Sequence, residues 1–241
     1  MAIDLAAAAA TPPALAARRR LGQLAQLLAR AVPAGFFTGL IVLKNESIQN
    51  AAAGVLAGGD QLDELRAGVT LAFLLLSAAF YLLIATMFVI RGSARGAARG
   101  LWPTVLALAG TLGAGPLAMM PMQHDDLRLV IAADLVMVVG MAGCCLTLTS
   151  LGRCFGIRPC ARGLVTGGVY RWVRHPLYLF EALVQVGTLM LVFSPVALVV
   201  FGAFVFLQYG RTLQEEHVLV AAFPEYAAYR ARTARFIPGV L

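Results

Sequence analysis

Apolar residues run along this chain in long blocks, and polar residues collect between the blocks. Residues 67–90 (AGVTLAFLLLSAAFYLLIATMFVI) and residues 101–122 contain no charged side chain, and residues 129–151 contain one, Asp134. A helix needs about 20 apolar residues to cross a hydrocarbon core of about 30 Å, so each block predicts a membrane span. A further span is predicted over residues 21–43, interrupted by Arg30. The block from Leu177 to Gly210 is different: 34 residues with a single charge, Glu181. As one helix it would measure about 51 Å, well beyond the core thickness. Ser194-Pro195 lies at its middle, where proline breaks or kinks a helix, so a hairpin with two short legs is expected. The predicted fold class is all-α: a polytopic membrane protein with about six transmembrane crossings, including a C-terminal helical hairpin.

Composition agrees with the pattern. Of the 241 residues, 60% are hydrophobic and 13% charged, against about 25% charged in soluble domains. Residues 1–20 place an apolar stretch before their arginines, the reverse of a signal peptide, and are expected to be a flexible N-terminal tail. Residues 21–151 hold the first spans, and residues 152–241 hold most of the polar material. The net charge of +7 has a distribution that argues against nucleic acid. Basic residues crowd the N-terminal segment, Arg91–Arg99, Arg153–Arg174 and the stretch from Arg211 onward. Only Lys44, Arg66 and Arg128 fall in the alternate loops, beside Glu46, Asp60, Asp63, Glu64, Asp125 and Asp126. That alternation follows the positive-inside rule and predicts both termini on the cytosolic side, with membrane lipids as partners of the arginines. Residues 152–176 and 208–241 then meet on the cytosolic face, one at each end of the hairpin, and a cofactor pocket is expected there. Cys144, Cys145, Cys154 and Cys160 match no zinc spacing and predict no metal site.

Three stretches carry candidate chemistry. In RGLVTGGVY, residues 162–170, Gly163, Gly167 and Gly168 permit positive φ or a close ligand approach, although glycine also serves a plain loop. Arg174-His175-Pro176-Leu177-Tyr178 puts proline where the first turn of a helix accepts it, with free N–H groups at that helix start. It reads either as a site or as an interfacial anchor, since arginine and tyrosine favour that depth. Arg211 and Glu215, followed by Glu216, share a helix face four residues apart, as an ion pair or as part of a site. Glu181 either reaches the cytosolic cavity or snorkels, and Asp134 is expected to snorkel or pair structurally.

Taken together, GGVYRWVRHPLY, then RTLQEE, then FPEYAAYRARTARFIP resemble the isoprenylcysteine carboxyl methyltransferases and related phospholipid methyltransferases, over roughly residues 150–238. The shared pattern is G-x-Y-x-x-x-R-H-P-x-Y, a Glu-Glu pair, and F-x-E-Y-x-x-Y. The resemblance implies that residues 152–241 form a methyltransferase-like catalytic region with S-adenosylmethionine as cofactor. By position it implies that Arg162, Gly163, Leu164, Val165, Tyr170, His175, Pro176, Leu177, Tyr178, Glu215 and Glu216 surround that cofactor. Arg211 and Arg174 would serve catalysis, and Arg211, Phe180 and Glu181 would face the acceptor. Two departures are visible: Phe180 stands where the family usually has glycine, and the loop lacks the polar pair often preceding its Leu-Val. The implied acceptor is a lipophilic small molecule or a prenylated cysteine carboxylate, with an amine headgroup, a thiol or an isoprenoid as further candidates. Ala-, Gly- and Arg-rich usage suggests a GC-rich bacterial genome, and the expected location is a bacterial inner membrane with the active site and both termini cytosolic. Two other classes stay open on the sequence: a membrane steroid-type reductase using NADPH, and a non-catalytic membrane subunit.

Overall fold

The computed structural model describes residues 12–239. Helix α1 (Pro12–Ala57) is followed by α2 (Gln61–Ile90), a short strand β1 (Gly96–Ala97), α3 (Trp102–Leu112), the single turn α4 (Gly115–Ala118) and α5 (Leu127–Leu151). Then come strand β2 (Cys160–Ala161), α6 (Pro176–Leu191), α7 (Pro195–Ala222) and α8 (Tyr226–Arg232). Local chemistry sets several of the helix starts. Asp60 caps α2 by accepting from Gln61 N at 2.8 Å, and Asp63 and Glu64 sit in the first turn, where the helix dipole favours them. Asp126 caps α5 through Arg128 N at 2.8 Å, and Ser194 caps α7 through Ala197 N at 3.1 Å.

Helices α1, α2, α5 and α6 pack side by side. Their shared core contains Phe37, Phe80, Ile84, Phe88, Met137, Met141, Leu148 and Val184. The α5–α6 contact depends on small residues. A Cβ added at Gly140 would meet Val184 at 2.8 Å, and one at Gly187 would meet the Ala133 carbonyl oxygen at 2.7 Å. A Cβ at Gly143 would overlap the ring of Phe180. Close backbone approach of this kind stabilises helix pairs where lipid offers no hydrophobic driving force. On the other side, α3 lies along α7, and α4 touches both α6 and α7.

Among the described residues, four helical stretches are long and apolar enough to cross a membrane: Arg20–Ala57, Gln61–Ile90, Leu127–Cys154 and Pro195–Ala222. Helix α6, with 16 residues, is a shorter apolar leg of about 24 Å. Four expectations change. Residues 21–43 belong to one helix of 46 residues, and Arg30 does not interrupt it. Its Nη1 donates to the Val89 carbonyl at 3.3 Å, while Arg91 Nη2 donates to the Ala29 carbonyl at 2.8 Å. Helix already begins at Pro12, within the stretch expected as a tail; residues 1–11 lie outside the described residues. Residues 101–122 form no continuous span: α3 has 11 residues and ends where the chain turns at Gly113–Ala114, ahead of Gly115-Pro116. The break at Val192–Ser194 makes the expected hairpin, yet its second leg is not short, because α7 continues past Gly210 to Ala222.

At the bundle end that holds the C-terminus of α2, the polar segments are sewn together. Strands β1 and β2 pair antiparallel, Gly96 opposite Ala161 and Ala97 opposite Cys160. Arg174 N donates to the Ala234 carbonyl at 2.8 Å and His175 N to the Arg235 carbonyl at 3.1 Å, tying the last residues to the start of α6. Ala57 and Arg171 are exposed at opposite ends of the bundle. Single cysteines there, in an otherwise cysteine-free chain, should react with a membrane-impermeant maleimide from opposite faces of the membrane. Labelling of both from one face would contradict the arrangement of α1, α2 and α5.

Candidate active site

The start of α6 and the second half of α7 run antiparallel, and their facing side chains pair in register. Pro176 opens α6 at N1, where its missing N–H costs nothing. This sets His175 and Tyr178 toward α7, their rings stacked at 5.8 Å and 14°. The Tyr178 hydroxyl donates to Glu215 Oε1. His175 lies between two carboxylates, Nδ1 at 3.7 Å from Glu215 and Nε2 at 3.2 Å from Glu216. One turn further along α6, Glu181 accepts from Gln208 Nε2 at 2.5 Å, and Gln208 Oε1 accepts from Arg211 Nη1 at 2.9 Å. The Arg211 guanidinium sits 4.7 Å from the Tyr178 ring centre, a cation–π contact.

Glu216 is the hub beneath this wall. It takes Arg174 Nε at 3.0 Å and Arg235 through Nε at 3.1 Å and Nη2 at 3.0 Å, besides His175. Arg174 also donates to the carbonyls of Arg230 at 2.8 Å and Thr233 at 2.6 Å. The hydrogen bonds with Glu216 raise the Arg235 pKa above its ordinary value.

The opposite wall comes from the segment between α5 and α6. Only Gly168 of its three candidate glycines has a positive φ, 59°; that conformation suits glycine and lets the chain turn into Tyr170. Gly163 serves a close approach instead, since an added Cβ would lie 2.6 Å from Cys154 Sγ. Tyr229 donates its hydroxyl to the Tyr170 carbonyl at 2.6 Å. Burial raises both phenols, Tyr229 to about 12, so they stay protonated at neutral pH. Burial likewise raises the Cys160 thiol despite the Arg162 guanidinium beside it, which keeps it a thiol rather than a thiolate.

Between these walls lies an open-mouthed cavity of about 110 Å³. Of the residues that the sequence pointed to, Gly163, Leu164, Val165 and Tyr170 line it from the loop. Arg174, His175, Leu177 and Tyr178 line it from the start of α6, and Arg211 and Glu215 from α7. Five others do not. Arg162 braces the loop, donating to the carbonyls of Gly92 at 3.0 Å and Phe155 at 3.2 Å. Pro176 is fully buried, Glu216 holds the ion cluster, and Glu181 reaches Arg211 only through Gln208. Phe180 points at Gly143 of α5, so the ring fills a notch between helices rather than narrowing the cavity.

Sequence reasoning missed Gln208, Tyr226 and Tyr229. The two tyrosines stand inside the F-x-E-Y-x-x-Y stretch without a role, and Gln208 shares a helix face with Arg211 at i, i+3. Two buried polar atoms of lining residues, Arg211 Nε and the Tyr226 hydroxyl, have no hydrogen-bond partner among the described residues. Unpaired buried donors are costly, and a polar ligand with acceptor groups would satisfy both. The cavity thus suits a ligand of mixed character: donors from Arg211 and Tyr226, an acceptor in Glu215, and apolar contact from Leu164, Leu177 and Leu219.

Residues 130–221 match the model of the isoprenylcysteine carboxyl methyltransferase (ICMT) family. A curated relative, the cobalt-zinc-cadmium resistance protein CzcN of Cupriavidus metallidurans, is 32% identical over 115 residues. That alignment covers 44% of this chain and 50% of the relative, so the chain spans about half the length of the curated protein it matches. Among solved structures, the eukaryotic intramembrane Ras methyltransferase ICMT is matched with a TM-score of 0.40 and 14% identity, over 89% of this chain and 96% of the other.

Replacing Glu216 by alanine strands Arg174, His175 and Arg235 together, and breaking a buried ion pair costs about 3–5 kcal/mol. Thermal unfolding in detergent should show a large drop for Glu216→Ala and almost none for Arg230→Ala, whose side chain is 52% exposed and 3.7 Å away. Comparable small shifts in both would contradict the hub.

Proposed function

We propose that this chain is an integral membrane methyltransferase of the isoprenylcysteine carboxyl methyltransferase kind, the family whose model matches residues 130–221. Its donor is S-adenosylmethionine, and its acceptor is a small lipophilic molecule with an anionic or nucleophilic head. The observation that carries the reading is the cavity at the α6–α7 junction, walled by Tyr178, Glu215 and His175 and reached by the buried guanidinium of Arg211. The family match favours this over a nicotinamide-dependent reductase.

The bound donor supplies an electrophilic methyl group on a sulfonium sulfur. Glu215, held by Tyr178, is an acceptor for the donor's hydroxyl or ammonium groups and offsets positive charge in the cavity. The protonated phenol of Tyr226 offers a donor to the adenosine part. His175 sets the wall, fixed between Glu215 and Glu216. Arg211 orients the acceptor: a guanidinium edge matches a carboxylate bidentately, so the attacking oxygen is aimed without proton transfer. In that case the carboxylate becomes a neutral ester while the sulfonium becomes a neutral thioether, and no acid or base is consumed. Alignment of the two partners accounts for most of the rate gain. The bundle end with the cavity also carries Arg91, Arg95, Arg99, Arg153 and Arg158, which supports a cytosolic placement of the site and both termini, in a bacterial inner membrane. The donor then enters from water and the acceptor from the bilayer.

Isothermal titration of S-adenosylmethionine into the purified protein tests the donor side. Glu215→Ala and His175→Ala should weaken binding, while Arg211→Ala should bind normally and lose methyl transfer from labelled donor into a membrane lipid extract. Arg211→Lys should stay poor, because lysine keeps the charge and loses the fork. Wild-type donor affinity in Glu215→Ala would refute the site.

A further inference from the structure

Resting on the methyl-transfer reading, we infer that Gln208 is a positioning residue that keeps Arg211 available to the acceptor by standing between it and Glu181. Arg211 and Glu181 are opposite charges within the helical bundle, and charges at that depth pair wherever geometry allows. A direct pair would commit the guanidinium to Glu181. Instead the Gln208 amide intervenes: its N–H₂ end faces Glu181 at 2.5 Å, and its oxygen faces Arg211 Nη1 at 2.9 Å. The amide matches both partners, because it offers a donor at one end and an acceptor at the other. The arrangement occupies Nη1 alone. Nε, part of the edge that makes side-on bidentate contacts, is left with no partner among the described residues, though Arg211 is only 5% exposed.

Two further contacts hold the guanidinium in that pose. Tyr178 supports one face at 4.7 Å. Gly110 of α3 leaves room on another side: an added Cβ would overlap Arg211 Cδ and lie 2.7 Å from Gln208 Oε1. Residues from α3, α6 and α7 therefore converge on one side chain, none of them touching the donor wall except Tyr178. Glu181 acts here at one remove, through the amide, and balances the charge of Arg211 without capturing it.

Gln208→Leu removes the intermediary and keeps the volume nearly constant. Arg211 should then swing onto Glu181, and methyl transfer should fall about tenfold or more, the scale of a misplaced catalytic group. Affinity for S-adenosylmethionine by titration should stay close to the wild-type value, which a general loss of structure would not allow. Adding Glu181→Gln to Gln208→Leu removes the competing carboxylate and should restore part of the transfer. A structure of Gln208→Leu in lipid nanodiscs decides the matter independently of activity. Arg211 paired with Glu181 supports the inference, and Arg211 still stacked on Tyr178 overturns it. Wild-type transfer in Gln208→Leu also overturns it, whereas failure of the unmutated protein to bind S-adenosylmethionine counts against the methyltransferase reading alone.

Discussion

The buried carboxylate of Glu216 is the constraint from which the polar end of this molecule is built. It sits at 4% exposure near the end of a long apolar helix and gathers Arg174, His175 and Arg235. Those partners come from the segment before α6 and from the chain after α8, parts far apart in sequence. Desolvating one carboxylate is costly unless its lone pairs are filled, and here several charged donors fill them. The cluster therefore fixes the start of α6 against α7 and draws the C-terminal residues across the cavity floor. His175 is held in place by Glu216 on one nitrogen, which sets the plane of the ring that stacks on Tyr178. The cavity wall inherits its geometry from a residue that does not line it.

Membrane packing supplies the second constraint. Gly140, Gly143 and Gly187 bring α5 and α6 into contact along much of their length, so the first leg of the hairpin is anchored to the bundle. The second leg leans more on α3 than on α6. A hairpin held from two sides can splay at its polar end, and the cavity occupies that opening. Phe180 illustrates the economy of this packing. A residue expected to face the acceptor instead fills the notch left by Gly143, so a large ring on one helix is matched by the absence of a side chain on the next.

Much of this was legible in the residues. Long apolar blocks mark the spans over α2 and α5, and Ser194-Pro195 marks the turn between α6 and α7, because hydrophobic length and proline geometry act locally. The motif residues His175, Tyr178, Arg211 and Glu215 were found together because topology returns the chain to the same end of the bundle. What escaped was set by distant packing. Residues 101–122 are apolar enough to span, yet Gly113 and the Gly115-Pro116 step divide them, and composition alone does not register that division. Arg30 looked like an interruption; the Val89 carbonyl beside it made it tolerable. Glu216 was grouped with the cofactor residues as a neighbour of Glu215, but on a helix adjacent residues point about 100° apart. One therefore faces the cavity and the other faces the ion cluster.

That divergence also explains how a single helix serves two chemistries. Along α7, Gln208, Arg211 and Glu215 recur at helical spacing toward α6 and the cavity, while Glu216 turns toward Arg174 and Arg235. The first set is incompletely satisfied, with Arg211 Nε unpaired among the described residues, and the second is saturated with charged partners. A saturated cluster holds its geometry but has no capacity left for a ligand. An unsaturated one is stable only because neighbouring contacts hold it, as Tyr178, Gln208 and Gly110 do for Arg211. Binding capacity in this protein is thus concentrated where the polar groups are buried yet left short of partners, and rigidity is concentrated one residue further along the same helix.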